Sequence, residues 1–161
     1  MAQRPSTSNY PWCDIIACWR KAGVAILPGA TASSIASFQS KYNVVLPFDF
    51  MEYIQTVNGT GADYSDDNIT SFFSLEEIIP VHDALNDANG VIYPDRFLHP
   101  DCYIFSDHFL SSWFYAVKLT SNPEQAAPVY RVTASEAPIE IMAPSFREFM
   151  LMYAHNPDSF L

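Results

Sequence analysis

Four short apolar stretches, "CYIF" (102–105), "SWFYAVKL" (112–119), "PVYRV" (128–132) and "IEIM" (139–142), follow one another with no helical pattern between them. This run constrains the fold more than any other feature. The stretches are rich in aromatic and β-branched residues, which suit a pleated, half-buried surface. "SDHFLS" reads as a hairpin connection between the first two. Strands joined by hairpins pair antiparallel, so the second half of the chain predicts an antiparallel sheet with helices covering one face, an α+β class.

The helices are marked by their own spacing and caps. Trp12, Ile15, Ile16 and Trp19 fall at helical intervals within residues 11–22, and Gly23 follows as a stop. "VAILPGAT" is an extended connector with a Pro-Gly turn. Thr31 or Ser33 can cap a second helix whose Ile35, Phe38 and Tyr42 share a face. In "VVLPFDFMEYIQTVNGTG" (44–61), Leu46-Pro47 ends the preceding segment, because a residue before proline is pushed out of the helical region. Asp49 and Glu52 then form a capping-box pattern, and Phe50, Tyr53, Ile54 and Val57 make the apolar stripe. Asn58-Gly59 stops the helix, since both residues tolerate a left-handed conformation. "ITSFFSL" (69–75) reads as a strand running into a helix at "SLEEII", with Ser74 and Glu77 as a second capping box and Pro80 as its limit. "HDALNDANG" leads to a turn at Asn89-Gly90, and residues 91–101 form a Pro- and Asp-rich loop. Ser145 and Glu148 cap a closing helix with Phe146, Phe149, Met150 and Tyr153 on one face, ended by Asn156-Pro157.

Charge is unevenly spread. The net charge is −10, and between Lys41 and Arg96 there is no Lys or Arg. That gap holds Asp49, Glu52, Asp63, Asp66, Asp67, Glu76, Glu77, Asp83, Asp87 and Asp95, ten of the eighteen acids, and the rest of the chain sums to zero. Direct binding of nucleic acid would set carboxylates against phosphates and is disfavoured. The segment instead suits a basic partner, with Asp63, Asp66, Asp67, Glu76, Asp83 and Asp87 as the candidate contacts. Asp63, Asp66 and Asp67 lie in the turn-rich "GTGADYSDDN" and are expected to be exposed.

Catalytic and metal-binding patterns are missing. His99, Cys102 and His108 match no closed four-ligand spacing, and Asp66-Asp67 and His82-Asp83 lack the calcium-loop pattern. There is no G-x-S-x-G elbow and no phosphate-binding Gly-rich loop. No cofactor, metal or enzymatic activity is expected. The start, "MAQRPSTSNYPW", has no apolar signal core, no run approaches a membrane span, and three cysteines cannot form a fully paired framework. Cys13, Cys18 and Cys102 are therefore expected as reduced thiols in the cytoplasm.

The helix with an "F…Y" face, followed by Leu-Pro-x-Asp-aromatic and Asn-Gly, resembles the N-terminal signature of the SUKH superfamily, the Smi–Knr type of domain. "FFSLEEI", "YIFSD", "FYAVKL", "PVYRV" and "APSFREFM" resemble its later strands and closing helix, in the same order. The likeness runs over residues 31–153, making residues 1–30 an N-terminal helical extension of one domain spanning 1–161. It implies a curved antiparallel sheet backed by helices, and a non-enzymatic binding protein. Many bacterial members look like immunity proteins that neutralise a protein toxin; others are regulators, so a scaffold or small-ligand module of a signalling or cell-wall pathway is the alternative. Leu46, Pro47, Asp49, Asn58 and Gly59 match as structural residues, and no catalytic residue carries over. "DHFLSS" departs from the family's Gly- and Asp-rich hairpin turn with a bulkier apolar loop.

Overall fold

Helical periodicity near the start of the chain produces helix α1 (Pro11–Lys21), which buries Trp12, Ile15 and Trp19. Helix α2 (Ala32–Tyr42) begins where the Thr31 side chain accepts the Ser34 N–H, and it buries Ile35 and Phe38. Helix α3 (Phe48–Thr56) follows the Leu46-Pro47 break and buries Phe50, Tyr53 and Ile54. Strands β1 (Thr70–Phe72) and β2 (Ile79–Pro80), helix α4 (Val81–Asn86), strands β3 (Cys102–His108), β4 (Trp113–Lys118), β5 (Val129–Val132) and β6 (Glu140–Ala143), and helix α5 (Phe146–His155) complete the order, with a short 3-10 helix at Pro157–Phe160. This computed structural model describes residues 11–86, 101–133 and 140–160. Asp87, the Asn89-Gly90 turn and residues 91–100 of the expected loop lie outside the described residues.

The hairpin-linked strands form one antiparallel sheet of six strands, ordered β1-β3-β4-β5-β6, with β2 also on β3. Strands β1 and β2 share one edge of β3: Thr70 faces His108 at one end, and Ile79 faces Ile104 nearer the other. Register shifts between Ile104 and Ser106 and between Val129 and Tyr130 bend the strands. The arrangement is a single α+β domain.

Alternation along the strands decides where the helices sit. Tyr103, Phe105, Tyr115, Val117 and Val129 point into the main core, where they meet α1, α2, α3 and α5. Cys102, Ile104, Ala116, Tyr130 and Val132 point the other way and are covered by Val81 and Leu85 of α4. Among the described residues, helices therefore cover both faces, the second with one short helix, α4. Trp12 stacks on Phe146 at 5.8 Å and Trp19 packs against Phe72 at 5.0 Å, so α1 is part of the main core.

One expected helix is not there. At "SLEEII" half of the capping box forms: the Ser74 N–H donates to Glu77 Oε2 at 2.8 Å, while the Glu77 N–H donates to the Ser74 backbone carbonyl at 2.9 Å, a turn bond that leaves the hydroxyl out. The turn does not propagate, because Ile79 and Pro80 pair with β3 and the next helix starts beyond them at Val81. Pairing to a distant strand overrides a local start signal here.

Candidate functional site

The Leu46–Gly59 motif uses its polar residues to join elements. Asp49 and Glu52 were expected to cap α3, but Pro47 occupies the cap position and offers no side-chain bond. Asp49 sits two residues further in: its Oδ1 accepts the Phe50 N–H at 2.8 Å, and its Oδ2 accepts the Arg147 N–H in the first turn of α5 at 2.9 Å. Glu52 accepts the Trp12 indole N–H at 2.9 Å. The same two carboxylates thus tie α3 to α5 and to α1. Asp49→Ala is expected to cost about 1–2 kcal/mol, as for loss of a charged helix cap. Faster hydrogen exchange at the Arg147 amide checks this origin, and exchange altered only within α3 would refute it.

Asn58 does not act as a left-handed stop. Its side chain crosses to the Ser74–Glu77 turn, accepting the Leu75 N–H at 2.7 Å and donating to Glu76 Oε2 at 3.0 Å. Gly59 does take the left-handed form, with φ 72°. Burial pushes the Glu76 carboxyl up, but its own backbone N–H and the Asn58, Ser74 and Ser34 side chains outweigh that and hold it below the usual range. The neighbouring Glu77 accepts the Ala62 N–H at 3.2 Å, pinning the start of the acidic loop to the same turn.

Among the candidate contacts, Asp66 is the correction. It was expected on the surface and is 8% exposed. Its Oδ1 accepts the N–H groups of Asn68 at 2.9 Å and Thr70 at 3.2 Å, and its Oδ2 accepts the Trp19 indole N–H at 3.4 Å and the Tyr153 hydroxyl. Burial, then the Asp66 charge, push the Tyr153 hydroxyl well above the usual tyrosine range, which keeps it a donor. A carboxylate shared by α1, the loop before β1 and α5 holds the fold together.

The other acids divide between surfaces. Asp63 and Asp67 are exposed on the loop between α3 and β1. Asp67 also borders a groove of about 260 Å³ beside α1, with Cys18 and Lys21. Exposed Glu76 rims a second groove, of about 360 Å³, whose wall is the Ser33, Ser34, Ser37 and Lys41 face of α2. That hydroxyl-rich face escaped sequence reasoning; its signal is the helical spacing of the serines and Lys41 beside the apolar stripe. Exposed Asp83 lies on α4, with His82 Nδ1 at 3.6 Å, on the helix that covers the opposite sheet face. The five described acids do not form one patch: among them, only Asp63 and Asp67 are exposed neighbours in a single loop.

Next to that loop lies the β3–β4 hairpin. The Phe109 N–H donates to the Ile69 carbonyl at 2.9 Å, which joins the hairpin tip to the end of the acidic loop. Behind the tip, His108 stacks on Trp113 at 4.1 Å and its Nδ1 bonds Thr70 Oγ1 at 2.8 Å. Burial pulls the His108 imidazole below its usual range, against the raising effect of Asp66 and Asp107. Arg131 lies over the Trp113 ring, 5.5 Å from its centroid, and pairs with Glu140.

Cys102 and His108 stand at opposite ends of β3, and His99 lies outside the described residues. Burial pushes the Cys102 thiol up to about 12, while Cys13 and Cys18 are exposed on α1; all three are free thiols. Among the described residues, no three His, Cys, Asp or Glu side chains gather as metal ligands, and no helix is long and apolar enough to cross a membrane.

No curated protein matches the chain. A family model does, over residues 29–152, a span that contains α2 to β6 and nearly all of α5, with α1 preceding it. The order of capped helices, shared-edge strands and hairpins, together with that match, shows that the chain belongs to the SMI1 / KNR4 family (SUKH-1).

Proposed function

We propose that this chain is an immunity-type protein, acting in the cytoplasm, that neutralises a basic, nucleic-acid-targeting protein toxin by binding it and carries no catalysis of its own. Membership of the family supports a binding role. The observation that carries the choice of partner is the loop bearing Asp63 and Asp67, exposed and set within a stretch free of Lys and Arg from residue 42 to residue 95. Carboxylates so placed speed encounter with a basic protein and can occupy a cleft built for phosphates.

The test uses the C-terminal domain of a toxin encoded beside this chain's gene, with Asp63→Asn and Asp67→Asn combined. Asp66 is left intact, because its loss would disturb the fold. Association is expected to slow severalfold at low salt, with a flatter dependence on ionic strength and an unchanged Tm. Equal rates and slopes would remove these acids from the interface, and no binding by the parent protein would defeat the immunity role. The serine-lined groove on α2 is the feature that suits the other role, a small-ligand or scaffold module.

A further inference from the structure

Four residues with side chains hold left-handed backbone conformations around one spot: Ile69 at φ 56°, Phe109 at 48°, Leu110 at 51° and Ser111 at 66°. A Cβ in this region crowds the following carbonyl, so such residues are costly where glycine or asparagine would be free of strain. A β-branched residue such as Ile69 is rarer still there. The usual recompense for a strained apolar residue is burial, and here it is only partial. Leu110 is 92% exposed, and Phe109 and Ile69 are about half exposed, at 51% and 48%. The fold gains almost nothing from Leu110 and only part of what Phe109 and Ile69 could give, and it carries the strain of their backbone.

The tip is also held in place. Asp107 accepts both the Ser111 N–H at 2.7 Å and the Ser111 hydroxyl at 3.0 Å. The Ser112 hydroxyl donates to the Phe109 carbonyl at 2.8 Å, and the Ser112 N–H to the His108 carbonyl at 3.1 Å. Beneath it are the bond from Phe109 to Ile69 and the His108–Trp113 stack. An exposed apolar pair fixed in one conformation loses little entropy when it enters a pocket. Strain kept at an exposed, ordered site is a mark of function.

Charge selects what covers it. Exposed Asp67 lies two positions before Ile69, with Asp63 earlier in the same loop. Of the nearby cations, Arg131 is engaged by Glu140 and the Trp113 ring, and Lys21 lines the groove that Asp67 borders. An acidic rim on a chain of net charge −10 repels a second copy of itself and an anionic membrane, and attracts a basic protein. We infer that Phe109 and Leu110, supported by Ile69, form the anchor that enters an apolar pocket on the toxin, with Asp63 and Asp67 facing basic residues around that pocket. The inference rests on the toxin-binding role and locates its centre.

The test replaces Phe109→Asn together with Leu110→Gly, residues that accept the left-handed backbone. The measurements are Tm, sedimentation, and the Kd for the C-terminal domain of whichever toxin is encoded beside this gene; the absence of one would overturn the toxin-binding role and the anchor with it. The expected result is a Tm raised by about 2–6 °C as strain is released, with binding about thirtyfold weaker or worse. Unchanged binding overturns the anchor while leaving the toxin-binding role intact. A lowered Tm also overturns it, since the tip would then be holding the fold. A parent dimer that the double variant dissolves would assign the tip to a second copy instead. If the parent does not bind the toxin domain, the proposed role fails and the anchor fails with it.

Discussion

Asp66→Ala is expected to lower the unfolding free energy by about 3–5 kcal/mol, read as a reduced urea midpoint at neutral pH. The substitution removes the acceptor for the Trp19 indole, the Tyr153 hydroxyl and the backbone N–H groups of Asn68 and Thr70. A buried donor without a partner costs about 1–3 kcal/mol, and a water entering the vacated space can accept from only about two of the four donors. Asp66→Asn should lose less, because its carbonyl oxygen can still accept the two loop amides while its amide group opposes the donors of Trp19 and Tyr153. The graded order, alanine worse than asparagine and asparagine worse than the parent, identifies hydrogen bonding as the cause. An alanine variant within about 1 kcal/mol of the parent would show that this carboxylate is dispensable to the core.

Gly59→Ala is expected to cost about 3–5 kcal/mol, enough to lower Tm by roughly 10 °C or to leave the protein insoluble. Two penalties coincide there. Gly59 has φ 72°, and a Cβ on it would stand 2.4 Å from the Phe72 carbonyl oxygen and 2.7 Å from that of Phe73. These are backbone atoms at the end of β1, where the Thr60 and Gly61 N–H groups both donate to the Phe72 carbonyl at 2.9 Å, so they cannot step aside. Gly61→Ala separates the two penalties. Gly61 has φ 86°, but a Cβ there meets only the Leu27 and Tyr64 side chains at 3.7 and 3.9 Å. Its loss should be about 1 kcal/mol, from conformation alone. Equal losses at the two glycines would rule out the clash.

What could be read from the chain divides along the range of the interactions. Thr31 and Ser145 cap α2 and α5 as their spacing predicts, because a cap bond reaches only three residues. The strand run from Cys102 to Ala143 is legible because alternation and turns are local as well. Asp49 and Glu52 have the right spacing and the wrong partners: Arg147 and Trp12 reach them from distant helices, and no local pattern announces that. The same holds for Asp66. An acid between Ser65 and Asp67 in a turn-rich stretch reads as exposed, and only the convergence of Trp19 and Tyr153 buries it. "SLEEII" fails because β2 is two residues long and exists only by pairing with β3. At the hairpin tip, the left-handed backbone is hidden because Phe, Leu and Ser occupy positions that Gly or Asn would have marked. The acidic segment was visible as composition, but its division among three surfaces depends on the fold.

The contact between α1 and α5 also governs how the chain can fold. Trp12 needs Phe146 to cover it, and Trp19 shares its carboxylate with Tyr153, so the first described helix is completed by the last. During synthesis the indoles of α1 are made before the described strands of the sheet, while the surface that closes over them is made after those strands. High contact order of this kind delays the cooperative step until α5 has been made and keeps aromatic surface open to solvent meanwhile. The protein is therefore assembled as one unit, with no stable N-terminal half, and a chain stopped before α5 would be a substrate for chaperones or proteases and not a smaller working domain.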